Sequence, residues 1–370
     1  MKGTVRVLGL VAVASVALAA CGSKPASTSS SSTSGGAAAS SPSSGATAGQ
    51  ALNACMVLDV GGVDDRSFNQ SSWKGMQDAA AQNPNIKISY VPSSSQNDYT
   101  PNLNAQVAKG CQTTIAVGGL MTDALKAVAT KNADKKFAII DSNTGQPNVY
   151  GLQFNTAQGG FLGGYLAAGY SKTGKVATWG GLNIPPVTVY MDGFWEGVQY
   201  YNKQKGKNVQ VLGWNEQNQK AGTFAQSFTD KNKGQQISQQ FIQQGADVIF
   251  PVAGGAGEGA GQAAMATNGK VSVMWVDTDG CESVPAQCPV FLSSVVKNLA
   301  KAVTTYVTGA ASGTFPTGSY VGTLENDGTG LAPFHQFDSK VPADLKSELD
   351  TVKQDIISGK IKITSPSQPK

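Results

Sequence analysis

The chain predicts an α/β protein with two parallel sheets, and two observations carry that expectation. From Asn53 onward, short apolar runs alternate with amphipathic stretches at helical spacing, a pattern that builds parallel sheets with right-handed crossovers. About 320 residues follow a low-complexity stretch, enough for two domains of ordinary size, and the number of runs suits two sheets.

The elements follow in order. Residues 55–60 (Cys-Met-Val-Leu-Asp-Val) read as a buried strand ending in a glycine turn. A helix over 68–81 places Trp73, Met76 and Ala80 on one face. Further strands are expected at 86–91, 113–117, 137–141, 176–178, 209–213, 247–252 and 271–277. Helical patterns cover 159–170, 190–202 and 235–244. No repeat occurs at a solenoid period.

The N-terminal region has a different character. Lys2 and Arg6 precede an apolar run over 8–20 that is too short to span a bilayer, so residues 1–20 read as a signal peptide. Leu18-Ala19-Ala20-Cys21 places Cys21 first in the mature chain, the pattern of a bacterial lipoprotein whose thiol is lipidated. Residues 21–51 are a tether: 22–50 are almost wholly Ser, Gly, Ala, Thr and Pro, which cannot bury a core. As a random coil it would hold the folded part roughly 30 Å from the membrane. The expected location is the extracytoplasmic face of the cell membrane, with membrane contact through the lipid alone.

Charge and cysteines narrow the function. The formal charge is +4, and removing Lys2 and Arg6 leaves about +2 with no basic cluster, which argues against a nucleic-acid partner. No second apolar run is long enough to cross a membrane. Cys281 and Cys288 flank a short polar segment containing Pro285, which suits a loop-closing disulfide. Cys55 and Cys111 stand near the starts of two expected strands and would pair if those strands are neighbours. One histidine and no Cys-x-x-Cys argue against a metal site.

Ligands of open parallel sheets bind beyond the carboxyl ends of the strands. Those ends here deliver Asp59 with Gly61-Gly62, Asp141-Ser142-Asn143, Gly254-Gly255, and Asp277-Thr278-Asp279. Asp64 and Asp65 precede a helix and fit capping roles. Nothing suggests an enzyme or a cofactor. His335 stands among Pro333, Phe334 and Phe337, no Gly-x-Ser-x-Gly occurs, and no Ser-x-x-Lys has supporting elements. The glycine run 254–261 misses the dinucleotide and P-loop patterns. It reads as a close-approach turn offering amides to a neutral polar ligand.

The stretch 59–70, Asp-Val-Gly-Gly-Val-Asp-Asp-Arg-Ser-Phe-Asn-Gln, resembles the opening signature of the basic membrane protein family. These are PnrA-like substrate-binding lipoproteins of ABC transporters. The resemblance continues through Gly160-Phe161-Leu162-Gly163-Gly164-Tyr165, Gly180-Gly181-Leu182-Asn183-Ile184-Pro185 and Gly245-Ala246-Asp247-Val248-Ile249-Phe250. Ala253-Gly254-Gly255, Val295-Val296-Lys297-Asn298 and Asp327-Gly328-Thr329-Gly330-Leu331 complete it, over about 53–362.

That resemblance implies a type I periplasmic binding protein fold, with two Rossmann-like lobes joined by a three-segment hinge and closing over a purine nucleoside. Lobe 1 would comprise 52–153 with about 289–320, and lobe 2 would comprise 154–288 with about 321–362. Phe68 and Phe228 would sandwich the base. Asp59, Asn69 and Asp141 would read its edge. Asp277 and Lys297, with the Gly254 backbone, would hold the ribose. The expected partners are the nucleoside and an ABC permease, with the chain acting as a monomer. The segment 215–233 is rich in Gln, Asn and Lys, and Asp141-Ser142-Asn143 departs from the more apolar stretch of relatives, so the preferred base is open. The residues also leave open a free sugar or other small polar ligand, and a surface sensor or adhesin.

Overall fold

A computed structural model describes residues 51–369. The expected signal peptide, Cys21 and nearly all of the tether lie outside the described residues. The first half of the described chain runs β1 (Leu52–Val57), α1 (Phe68–Gln82), β2 (Ile86–Val91), α2 (Tyr99–Ala108), β3 (Thr113–Val117), α3 (Thr122–Lys131), β4 (Lys136–Ile140), β5 (Val149–Phe154), α4 (Ala157–Tyr170) and β6 (Lys175–Gly180). It continues with α5 (Pro185–Lys205), β7 (Gln210–Leu212), α6 (Lys231–Gln243), β8 (Val248–Val252), α7 (Glu258–Met265), β9 (Ser272–Asp277), α8 (Gly280–Ser283) and β10 (Phe291–Lys297). The last elements are α9 (Leu299–Ala311), β11 (Ser319–Gly322), β12 (Thr329–Leu331) and α10 (Ala343–Ile357).

These strands form two six-stranded sheets, in orders β11-β5-β4-β3-β1-β2 and β12-β10-β9-β8-β6-β7. Every pairing is parallel except β10 with β12. The central strands β3, β8 and β9 are buried along their whole length, because helices cover both faces of each sheet. The first core gathers Ile115, Ile139, Leu103 and Leu125 with Val303 and Tyr306 of α9. The second sheet packs α4, α5 and α10 on one face and α6 and α7 on the other.

Glycines set one helix crossing tightly. A Cβ on Gly164 would lie 2.0 Å from the Phe194 carbonyl oxygen, and one on Gly197 2.1 Å from that of Phe161. Only glycine lets the α4 and α5 backbones approach this closely. The contact fixes Tyr190, whose own carbonyl oxygen lies 2.5 Å from the Cβ position of Gly160.

The chain passes between the sheets three times: after Phe154, after Lys297 and after Gly322. The crossings bond to one another, Asn155 N–H donating to Gly322 O at 2.8 Å and Asn298 N–H to Gly328 O at 2.9 Å. One expected boundary needs correction. Residues from about 289 are expected in the first lobe, but β10 pairs with β9 in the second sheet, so the crossing falls after Lys297. Cys55 is bonded to Cys111, joining β1 to the lead-in of its neighbour β3, and Cys281 is bonded to Cys288 between β9 and β10.

Candidate functional site

The carboxyl ends of the two sheets enclose a narrow cleft, lined from both lobes by Asp59, Phe68, Asp141, Phe228, Asp277 and Lys297. Asp59, just beyond β1, accepts from Gly61 N–H at 2.9 Å and from Asn69 Nδ2 at 2.7 Å. Asp65 caps α1 from outside the helix, accepting backbone N–H groups of Ser67, Asn69 and Gln70 at 2.8–3.0 Å. That cap aims the first turn of α1, with Phe68 and Asn69, into the cleft. Asn69 Oδ1 is buried with no hydrogen-bond partner, a free acceptor on the cavity wall. Gly118 has φ +112°, and a Cβ there would lie 2.9 Å from Asp59 Oδ2 and 3.5 Å from the Phe68 ring, so the glycine keeps this wall open.

Lys297 ends β10 where the chain crosses between lobes. Its Nζ lies 2.6 Å from Asp141 Oδ2 and 3.6 Å from Asp277 Oδ1, and 4.8 Å from the centre of the Phe68 ring. Asp277 is held from two sides: Tyr190 OH donates to Oδ1 and Ser67 OH donates to Oδ2, each at 2.7 Å. Asp141 and Asp277 both adopt positive φ, +62° and +66°, a conformation that L side chains hold only when the surroundings impose it. On the second lobe the Phe228 ring lies against Gly181, where a Cβ would stand 2.3 Å from it. The Phe228 carbonyl accepts from Ala256 N–H at 2.9 Å, tying the ring-bearing segment to the glycine turn after β8. Gly254 opens that turn at φ +51°.

Burial pushes the Asp59 and Asp141 carboxyls above the usual range, and Asp65 up to about 7 against the pull of its backbone donors. Burial alone would lower the Lys297 ammonium, but the Asp141 and Asp277 charges outweigh it and hold the group above its ordinary value. Tyr190 is driven well above its ordinary range by burial, with Asp277 adding to the effect. Among the described residues, Lys297 is the one cation lining the cavity, against Asp59, Asp65, Asp141 and Asp277. Such a wall offers an anion little cationic support and accepts from N–H and O–H groups of a neutral ligand. Among the described residues, one cluster has metal-ligand spacing, Asp279, Cys281 and His335, and the Cys281 sulfur is committed to Cys288.

The family profile described as "ABC transporter substrate-binding protein PnrA-like" matches residues 52–366. The chain belongs to that family. This substrate-binding protein is 31% identical over 387 residues to the "ABC transporter nucleoside-binding protein BmpA" of Lactococcus lactis, covering 99% of this chain and all of that one. It is 32% identical over 335 residues to the "CD4+ T-cell-stimulating antigen" of Listeria monocytogenes, covering 86% and 89% of the two chains. A crystal structure of an ABC transporter solute-binding protein from Aeropyrum pernix superposes with a TM-score of 0.77 at 25% identity, covering 85% and 94%. Among the described residues of this binding protein, no helix is long and apolar enough to cross a membrane.

All eight residues expected at the ligand site of the binding protein, Asp59, Phe68, Asn69, Asp141, Phe228, Gly254, Asp277 and Lys297, line the same cleft. Asp277 and Lys297 are expected together on the ribose and Asp141 on the base edge; the ammonium lies 3.6 Å from Asp277 Oδ1 and, closer still, 2.6 Å from Asp141 Oδ2. Two functional groups carried no sequence signal. Tyr190 sits inside an apolar helical run, and its reach to Asp277 depends on the glycine crossing of α4 and α5. Ser67 lies within a motif with no signal of its own, and its hydroxyl reaches Asp277 of the opposite lobe. The expected capping role falls to Asp65, while Asp64 is exposed.

Proposed function

We propose that this substrate-binding protein captures a purine nucleoside in its cleft and delivers it to an ABC permease, tethered to the membrane by a lipid on Cys21. The observation that carries the reading is the cleft itself: a phenylalanine from each lobe, Phe68 and Phe228, stands with buried carboxylates and the free Asn69 acceptor. Flat rings suit the faces of a base, and acceptors suit its N–H edge. Asp59 and Asn69 read that edge, Asp277 and Lys297 with the Gly254 turn hold the ribose, and Asp141 keeps Lys297 charged. The excess of carboxyls disfavours a 5′-phosphate, so the free nucleoside is the cargo rather than the nucleotide. The printed name of the Lactococcus lactis relative supports the ligand class. Capture proceeds by lobe closure, and the closed form docks on the permease. The protein binds without chemical turnover and acts as a monomer.

The test is mass spectrometry of ligand extracted from protein purified under native conditions. A purine nucleoside supports the reading, whereas a free sugar or another metabolite replaces it. For the tether, Cys21→Ala is expected to release the mature protein into the surrounding fluid, and unchanged membrane retention would overturn that part.

A further inference from the structure

The two lobes touch across the mouth of the cleft through three polar groups that are not needed to line it. Ser67, the residue before α1, is fully buried. Its hydroxyl lies 2.7 Å from Asp277 Oδ2 and 3.2 Å from the Val276 carbonyl oxygen, both at the end of β9 in the opposite lobe. Its single proton goes to the nearer, charged acceptor. Beside it, the Thr278 hydroxyl donates back across the gap to the Arg66 carbonyl oxygen at 3.1 Å. Arg66 and Asp277, one on each side, both adopt positive φ, +58° and +66°.

We propose that Ser67 is the lock of lobe closure: its hydroxyl, seconded by Thr278, holds the closed form and sets how slowly the ligand leaves. Ser67 precedes the ring of Phe68, and Asp277 shares its other oxygen with Tyr190 and Lys297. The lock therefore joins the ring-bearing side of the cleft to the carboxylate side with one charge-assisted hydrogen bond. Ser67 is a positioning residue and not a ligand contact. Its part in ligand release rests on the nucleoside reading, while its part in closure does not.

The experiment uses full-length mature protein with both disulfides oxidised and spin labels at Lys131→Cys and Lys207→Cys, exposed positions on opposite lobes. Inter-lobe distances are read in the free protein, and guanosine dissociation by stopped flow. Ser67→Ala is expected to move the distance distribution toward longer separations. It is also expected to raise the dissociation rate roughly 10- to 100-fold with association unchanged. Thr278→Val is expected to act in the same direction by a smaller factor, with the unfolding midpoint unchanged in both variants. Superimposable distance distributions for wild type, Ser67→Ala and Thr278→Val would overturn the lock, as would a lowered midpoint with no change in distance. If wild type binds no nucleoside while Ser67→Ala still opens, the ligand reading falls and the lock stands.

Discussion

Lys297 Nζ lies 2.6 Å from Asp141 Oδ2, so the end of one lobe's β10 is ion-paired with the end of the other lobe's β4. Both side chains are largely buried, and the same ammonium is within 3.6 Å of Asp277. The pair stands where the chain crosses from the second sheet to the first.

Removing the ammonium leaves two carboxylates facing each other out of water. Lys297→Met is expected to destabilise the protein by about 3–5 kcal/mol, as for other buried pairs that lose one partner. Urea unfolding reads this directly. Adding Asp141→Asn to the same chain should recover part of the loss, and strictly additive losses would count against the pairing.

Phe68 is half-buried, packs against the first core and borders the cavity. Phe68→Ala is expected to weaken purine nucleoside binding by about 1–3 kcal/mol, the range for stacking one base on one ring. The unfolding midpoint should move little. Undiminished affinity in calorimetry would remove Phe68 from the site.

Glu216 sits against Glu196 and Asp192, and burial with those neighbours raises its carboxyl to about 8. The folded state therefore keeps a proton that the unfolded chain releases near pH 4.5. Stability from this proton is fully present below pH 4.5 and is lost as pH rises through about 8. Thermal unfolding between pH 6 and 9 should show a falling midpoint, and Glu216→Gln should make the slope shallower. An identical slope in the variant would contradict the assignment.

Gly164 has no room for a side chain, its Cβ position lying 2.0 Å from a backbone oxygen of α5. Gly164→Ala must push α4 and α5 apart, with an expected loss of about 1–3 kcal/mol. Because Tyr190 rides on α5 and holds Asp277, ligand affinity should fall as well. Stability that falls with affinity intact would detach Tyr190 from the site.

Much of this architecture was legible in the sequence because parallel strands buried on both faces show as unbroken apolar runs. The strands at 86–91 and 113–117 have the expected limits, those near 247–252 and 271–277 start one residue later, and the one expected at 137–141 runs 136–140. Strand β10 escaped because Ser293 and Ser294 interrupt its run. They are tolerable in the core only because Ser293 donates to the Ala332 carbonyl and Ser294 accepts from Gly280 N–H. Those partners are remote in sequence, so periodicity could not disclose them. Strand β5 was missed because Tyr150, Gly151 and Gln153 break its apolar character. At the site, strand-end acids and motif phenylalanines were readable locally. The choice of Asp141 as the short partner of Lys297 depends on how two lobes meet, which no local pattern encodes.

The proposed function requires the cleft to select a purine nucleoside. Its most direct test is calorimetric titration of the soluble protein from residue 51, unfolded and refolded to clear any co-purified ligand. Guanosine, inosine, adenosine, cytidine and ribose would be titrated in turn. Binding of the purine nucleosides, with cytidine and ribose much weaker, is the result expected. Properly refolded protein that gives no heat with any purine nucleoside, or that binds ribose as tightly as guanosine, would contradict it.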